Sequence, residues 1–216
     1  MHTRTIATQT HGRYLVKGNP GAPMLVGFHG YMEHAALHLD MLRKVADRRD
    51  WLLVSVQGLH RFYARAHTTV VANWMTTEDR DEAIADNVAY VAAVVRAVRA
   101  EFAASGPLVF AGFSQGVAMA YRAAAFAVPC NGLVLLGGDL PPDVAPVASS
   151  LPRVLLGRGT TDHWYTEPKA ARDLAVLNGA GVRLETCVFE GGHEWHPAFV
   201  ERAGAFLDAT ISAQRP

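Results

Sequence analysis

Gly112-Phe113-Ser114-Gln115-Gly116 decides how the rest of the chain is read. Before it, Pro107-Leu-Val-Phe-Ala111 has the form of a short buried strand. After it, Val117-Ala-Met-Ala-Tyr-Arg-Ala-Ala-Ala-Phe126 has the form of a helix packed by small residues. A G-x-S-x-G turn between a strand and a helix lifts the serine hydroxyl out of the sheet at a sharp bend. The glycines two before and two after the serine have a steric reason, since a side chain at either would collide with the neighbouring strand or helix. A helix N-terminus beneath Ser114 favours negative charge, which suits a developing oxyanion. Five residues alone are a weak pattern; the strand and helix around them make it specific.

Working outward, Met24-Leu-Val-Gly-Phe28, Trp51-Leu-Leu-Val-Ser-Val56, Gly132-Leu-Val-Leu-Leu136, Arg153-Val-Leu-Leu-Gly157 and the run from Arg183 to Phe189 read as strands. Continuous apolar runs of this kind fit strands covered on both faces. Between them lie helical patterns: His34 to Arg48, the stripe Ile84, Val88, Val91, Val95, Val98 and Phe102, Glu167 to Asn178 ending at Gly179, and a last helix carrying Phe199, Ala203 and Phe206. The alternation predicts an α/β fold over residues 1–216, one domain, with a mostly parallel central sheet and helices on both faces. Alternating residues from Arg4 to Lys17 predict an antiparallel hairpin at the N-terminal edge. Gln57 to Thr77 reads as one long irregular stretch of the sort that shapes binding sites. The acidic group Glu78, Asp79, Asp81 and Glu82 reads as a helix N-terminus complementing the dipole, with Thr76 or Thr77 as cap.

Composition narrows the function classes. A chain of 216 residues, 50% hydrophobic and 19% charged, is globular and can bury a sizeable core. Its formal net charge of +0 leaves no footprint for a nucleic acid or an anionic membrane surface. Cys130 and Cys187 make neither a disulfide framework nor a zinc pattern, so free thiols in a reducing compartment are expected. The N-terminus has no apolar signal region, and no apolar run reaches the ~18 residues that would span a bilayer. The expectation is a cytoplasmic protein without stable membrane insertion.

Ser114, Asp162 and His193 each follow a predicted strand, which places all three beyond the C-terminal ends of a parallel sheet, where ligands bind. A serine hydroxyl needs a histidine to take its proton, and that imidazole needs a carboxylate to fix its tautomer. Asp139, also at a strand end, competes for the acid role, and His196 for the base. Glu190 and Glu194 flank the histidine too closely to orient it. Acyl transfer further requires donors aimed at the oxyanion. The amide of Gln115 is one candidate; Tyr31, with Met32 as the alternative, is the other. His29 reads as a residue that shapes this loop. Phe62, Tyr63, Trp74, Leu140, Trp164 and Trp195 are candidate substrate contacts, since aromatic rim residues suit small-molecule sites. His34 and His38 share a helix face, but H-E-x-x-H is absent and no metal is expected. No G-x-G-x-x-G follows the first inner strand, which excludes a dinucleotide site.

Gly112-Phe-Ser-Gln-Gly-Val-Ala-Met-Ala120, Phe28-His-Gly30, Asp162 and Gly191-Gly-His193, in this order and spacing, resemble the phospholipase/carboxylesterase family. These are small α/β-hydrolases that include acyl-protein thioesterases. The resemblance covers nearly the whole chain. It implies an α/β-hydrolase fold without a sizeable cap domain and a serine esterase of carboxylesterase, thioesterase or lysophospholipase type. It further implies no cofactor, a small-molecule ester or thioester substrate, Ser114, Asp162 and His193 as catalytic triad, and Tyr31 and Gln115 as oxyanion hole. Tyr31-Met-Glu-His stands where the family has a second glycine and an aspartate, Val117 where a third glycine is common, and His-Trp-Tyr follows Asp162 in place of small aliphatics. Oligomeric state stays open, a homodimer included. Rival readings on this scaffold are a peptidase, lyase or perhydrolase, or a non-catalytic binding protein.

Overall fold

The computed structural model describes residues 2–64 and 68–213. In chain order the strands are β1 (Tyr14–Lys17), β2 (Met24–Phe28), β3 (Leu52–Val56), β4 (His60–Tyr63), β5 (Val70–Asn73), β6 (Leu108–Phe113), β7 (Gly132–Leu136), β8 (Arg153–Gly159) and β9 (Leu184–Phe189). The α-helices are α1 (Ala35–Ala46), α2 (Arg80–Phe102), α3 (Gln115–Arg122), α4 (Glu167–Gly179) and α5 (Pro197–Ser212). Seven strands form one sheet in the order β1-β3-β2-β6-β7-β8-β9, parallel throughout except for β1. Every residue of β2, β3, β6 and β7 is buried, which is why these strands read as unbroken apolar runs.

Alternate side chains of each strand go to opposite faces. Leu25, Leu53, Val109, Val134 and Leu155 meet Leu42 and Val45 of α1 and Phe199 and Phe206 of α5. Their neighbours Val26, Val54, Phe110, Leu133 and Val154 meet Val91, Val95 and Val98 of α2, Met119 of α3 and Leu177 of α4. The sheet is therefore covered on both sides, as the alternating pattern requires. No helix among the described residues is long and apolar enough to cross a membrane.

Three expectations change. The N-terminal hairpin reduces to the single edge strand β1, which pairs antiparallel with β3 rather than with a strand before it. Among the described residues before Tyr14, Ile6 is the one large apolar side chain, and it is exposed, so they offer no face to bury. The antiparallel hairpin forms instead inside the stretch read as irregular, where β4 pairs with β5, Phe62 opposite Val71. Third, neither threonine caps α2: Thr76 Oγ1 accepts from the Glu78 amide at 3.2 Å, and Asp79, at a φ of 45°, precedes the helix. After α3 the alanine run Ala123–Ala127 continues as a π-helical turn, closed by Val128 N–H donating to the Ala123 carbonyl at 3.1 Å.

His38 of α1 lies directly over Gly27 of β2, where even a Cβ would come 2.6 Å from its ring. It is fully buried with neither ring nitrogen hydrogen-bonded among the described residues, and burial pulls its pKa down to about 3. His29, buried at the end of β2, is pulled down to about 4 for the same reason. The unfolded chain protonates both imidazoles below about pH 6.5, whereas the folded chain resists until the values above, so stability is complete above 6.5 and drains as pH falls. Denaturant titrations should show about 2 kcal/mol lost per imidazole between pH 7 and pH 5. His38→Leu should remove its share; an unchanged pH dependence in the variant would contradict this.

Candidate active site

Ser114 sits at the tip of the β6–α3 turn with φ 53° and ψ −121°, a conformation a non-glycine residue holds only where its surroundings impose it. Here they do. Its N–H donates to the Leu136 carbonyl at 2.9 Å, and its own carbonyl accepts from Val117 at 3.0 Å. A Cβ on Gly116 would run into the carbonyl of Phe28, and one on Gly112 into that of Gly116. α3 thus crosses β2 at backbone contact, and the hydroxyl is left at the rim.

The other two residues arrive on neighbouring loops that are zipped together. Thr160 N–H donates to the Phe189 carbonyl at 2.9 Å, and Thr161 gives both its N–H (2.9 Å) and its hydroxyl (2.8 Å) to the Gly191 carbonyl. This joins the exits of β8 and β9 and sets Asp162 against His193, Oδ2 to Nδ1, at 2.8 Å. Oδ1 of Asp162 accepts from the amides of Trp164 (2.8 Å) and Tyr165 (2.9 Å). Burial pushes the Asp162 carboxyl up, but the Tyr165 amide, the His193 ring and the Trp164 amide together outweigh it, and the net shift is downward. It is therefore an anion, and an anion only accepts, so Nδ1 of His193 is the donor in this bond and Nε2 is the ring nitrogen left to face the rim. The His193 ring packs on Phe113, the residue before the serine, at 4.9 Å between centroids. Ser114 Oγ makes no hydrogen bond among the described residues and is free to turn; such contacts commonly tighten when substrate arrives.

The competing side chains are engaged elsewhere. Asp139 pairs with Lys169 (3.2 Å) and Arg172 (3.7 Å). His196 caps α5, accepting from the Ala198 amide at 3.2 Å, and stacks on Phe189. Of the two loop amides, Met32 N–H donates to the Ala72 carbonyl at 3.1 Å, while Tyr31 N–H has no acceptor among the described residues. Gln115 N–H heads α3, where a helix leaves its amides without internal partners.

The same loop holds a residue that motif reading passed over. Glu33 Oε2 accepts from the Gly30 amide at 2.7 Å, and its backbone pairs with Ala72, which bolts the turn in place. Burial pushes its carboxyl up, partly offset by the Gly30 amide and the nearby His193 and His34. Met32 holds φ 60°, a left-handed conformation more usual for glycine. His29 shapes the turn as expected, joining the Gly30 carbonyl through Nδ1 (2.7 Å) and accepting from Gly58 N–H through Nε2 (3.0 Å).

No protein-family model matches the chain. Nor does any curated protein. Among solved structures it is similar to esterase PE8, with a TM-score of 0.74 and 19% identity over 94% of this chain and 100% of that one. It is similar to Zea mays acyl-protein thioesterase 2, with a TM-score of 0.72 and 19% identity over 93% and 100%. A carboxylesterase from Mesorhizobium loti matches with a TM-score of 0.75 and 16% identity over 91% and 94%.

The chain has the α/β-hydrolase fold.

Within that fold the rim opens onto a cavity of about 610 Å³ beside Ser114 and Gln115. Of the six candidate substrate contacts, Leu140 and Trp164 line it. Trp74 does not reach it: fully buried, it donates Nε1–H to the His29 carbonyl at 2.8 Å and packs on Phe28. Trp195 packs on Phe113, His38 and Phe199 on the opposite side of the sheet from α3. Phe62 and Tyr63 belong to the β4–β5 hairpin, where Phe62 faces Tyr31 with 6.1 Å between ring centroids. None of these four is part of the cavity wall. Apolar type alone does not separate a wall from an anchor, which is why the six look alike in sequence.

Gln115 does two things in this fold. Beyond its amide, its side chain accepts from Trp74 N–H and donates to the Met75 carbonyl, both at 3.0 Å, tying the hairpin's exit to the serine turn. Gln115→Ala should strand both backbone groups and lower the unfolding free energy by about 1–3 kcal/mol. Gln115→Glu, which keeps the acceptor but loses the donor, should lie between. Calorimetry showing no loss in the alanine variant would remove the tie from the account.

Proposed function

We propose that this chain, residues 1–216 acting as one domain, is a serine hydrolase that cleaves carboxylic esters or thioesters through an acyl-enzyme on Ser114. The observation that carries the reading is the 2.8 Å Asp162–His193 bond beside a serine held at positive φ. Ser114 Oγ attacks the acyl carbon and its proton passes to His193 Nε2, while Asp162 stabilises the imidazolium. The amides of Gln115 and Tyr31, at the positive end of α3, meet the oxyanion of the tetrahedral intermediate. Its collapse expels the alcohol or thiol, which takes the proton from His193. Water then attacks the acyl-enzyme with His193 as base, releasing the acid and restoring Ser114. The similar solved structures, two esterases and a thioesterase, favour the same chemistry.

A fluorophosphonate should label the parent and not Ser114→Ala, whose turnover of p-nitrophenyl butyrate should fall by about 10³-fold or more. Labelling of the variant at the parental rate would place the nucleophile elsewhere. Asp162→Asn should lower kcat by about 10²–10⁴ with KM little changed, because the amide cannot fix the tautomer or balance the imidazolium. An unchanged kcat there would return the acid role to Asp139.

A further inference from the structure

Of the three guanidinium groups on the cavity wall, those of Arg80 and Arg122 are not fully used. Arg122 lies on α3 eight residues after Ser114, about 12 Å along a helix axis. Its side chain is 1% exposed. Nε and Nη2 donate to the two oxygens of Asp143, each at 2.7 Å, but Nη1 finds only the Met75 sulfur at 3.4 Å. A thioether is a weak acceptor, so a buried cationic N–H is left close to unsatisfied, which is costly. Arg80, at the start of α2, reaches Asp143 only at 3.7 Å and Asp81 at 3.6 Å, and Asp81 stands in solvent, 93% exposed. The two cations therefore share one carboxylate, Asp143, which lies behind the lining rather than in it.

The remaining charges on the wall balance. Lys169 and Arg172 face Asp139 and Asp173, with Arg172 bonded to Asp173 at 3.0 Å. Asp173 is further engaged by Leu140 N–H (2.8 Å) and the Tyr165 hydroxyl (3.2 Å). The surplus positive charge sits at Arg80 and Arg122. The wall also carries apolar side chains: Ala118, one turn along α3 from Ser114 and one turn before Arg122, and Leu140, Pro141 and Ala145.

Which half of a substrate would enter follows from the proton. The leaving group departs on the side of His193, which protonates it, and His193 is not part of this wall. The acyl half lies here.

We infer that the preferred substrate is an ester or thioester whose acyl chain ends in a carboxylate, its hydrocarbon on the apolar wall and its charge against Arg122 Nη1 and Arg80. The inference rests on the ester-hydrolase reading and extends it to a substrate class. A guanidinium fork matches a carboxylate in plane and charge, and such a charge-assisted bond is roughly twice as strong as a neutral one. A plain fatty acyl chain would leave Nη1 without an acceptor.

The test compares p-nitrophenyl half-esters of succinate, adipate and suberate with the butyrate, hexanoate and octanoate esters of matching length. At the best length the carboxylated ester should show kcat/KM about tenfold higher or more, the effect of one charge-assisted hydrogen bond, and the advantage should shrink with added salt. Arg80→Gln should bring the two series together. Arg122→Met paired with Asp143→Leu removes the buried ion pair as a unit, so that no lone charge is left to unfold the protein, and should do the same. Parity between the series in the parent, with neutral esters turned over through Ser114, sinks this inference and leaves the hydrolase reading standing. Should neither series react, calorimetric titration of suberate into parent and Arg80→Gln decides: binding that the variant loses supports the site, and no binding overturns it.

Discussion

The close crossing of α3 over β2 is the constraint on which the rest of the rim depends. At Gly116 the helix backbone meets the carbonyls of Phe28 and His29, and no side chain fits between them. That contact fixes the angle at which β6 turns into α3, and so the positive φ of Ser114. It also sets the serine beside the loop leaving β2: a Cβ on Gly30 would lie 3.3 Å from that of Ser114 and 3.2 Å from Glu33 Oε2. One packing requirement thus brings together a hydroxyl, a free amide at Tyr31 and a carboxylate that holds the loop. The charge pair needs its own device, the zipper between the β8 and β9 exits. Gly159 takes part in it, since a Cβ there would strike the carbonyls of Gly191 and Gly192.

Much of this was legible in the chain because the signals are local. Five residues mark the turn, and apolar runs mark strands buried on both faces. The two inner strands read as Met24–Phe28 and Gly132–Leu136 carry those same bounds. Ser114, Asp162 and His193 follow strands, and a parallel sheet delivers all strand ends to one side. What was not legible depends on partners far along the chain. The alternation of Arg4–Lys17 is real, but a strand needs a neighbour, and β3 already serves as one for Tyr14–Lys17. The β4–β5 pair is too short and too mixed in polarity to announce itself.

The site divides the same way. The choice between Tyr31 and Met32 cannot be made from the loop sequence, because it turns on the Ala72 carbonyl taking one of the two amides. Asp139 and Asp162 are equivalent until Lys169 and Arg172 are seen beside the first and His193 beside the second. Glu33, Arg80 and Arg122 fell outside any motif. Arg122 did leave one trace: a lone cation within the run Ala-Tyr-Arg-Ala-Ala on a helix that packs its small residues inward.

Trp74 and Met75 carry a consequence beyond their own contacts. Their peptide groups hold the Gln115 side chain, and the Met75 sulfur touches Arg122. Two adjacent residues therefore join the turn that carries Ser114 to the buried cation at the far end of the same helix. A change at Met75 would touch both ends of α3, the Gln115 side chain at its start and the Arg122 guanidinium at its finish.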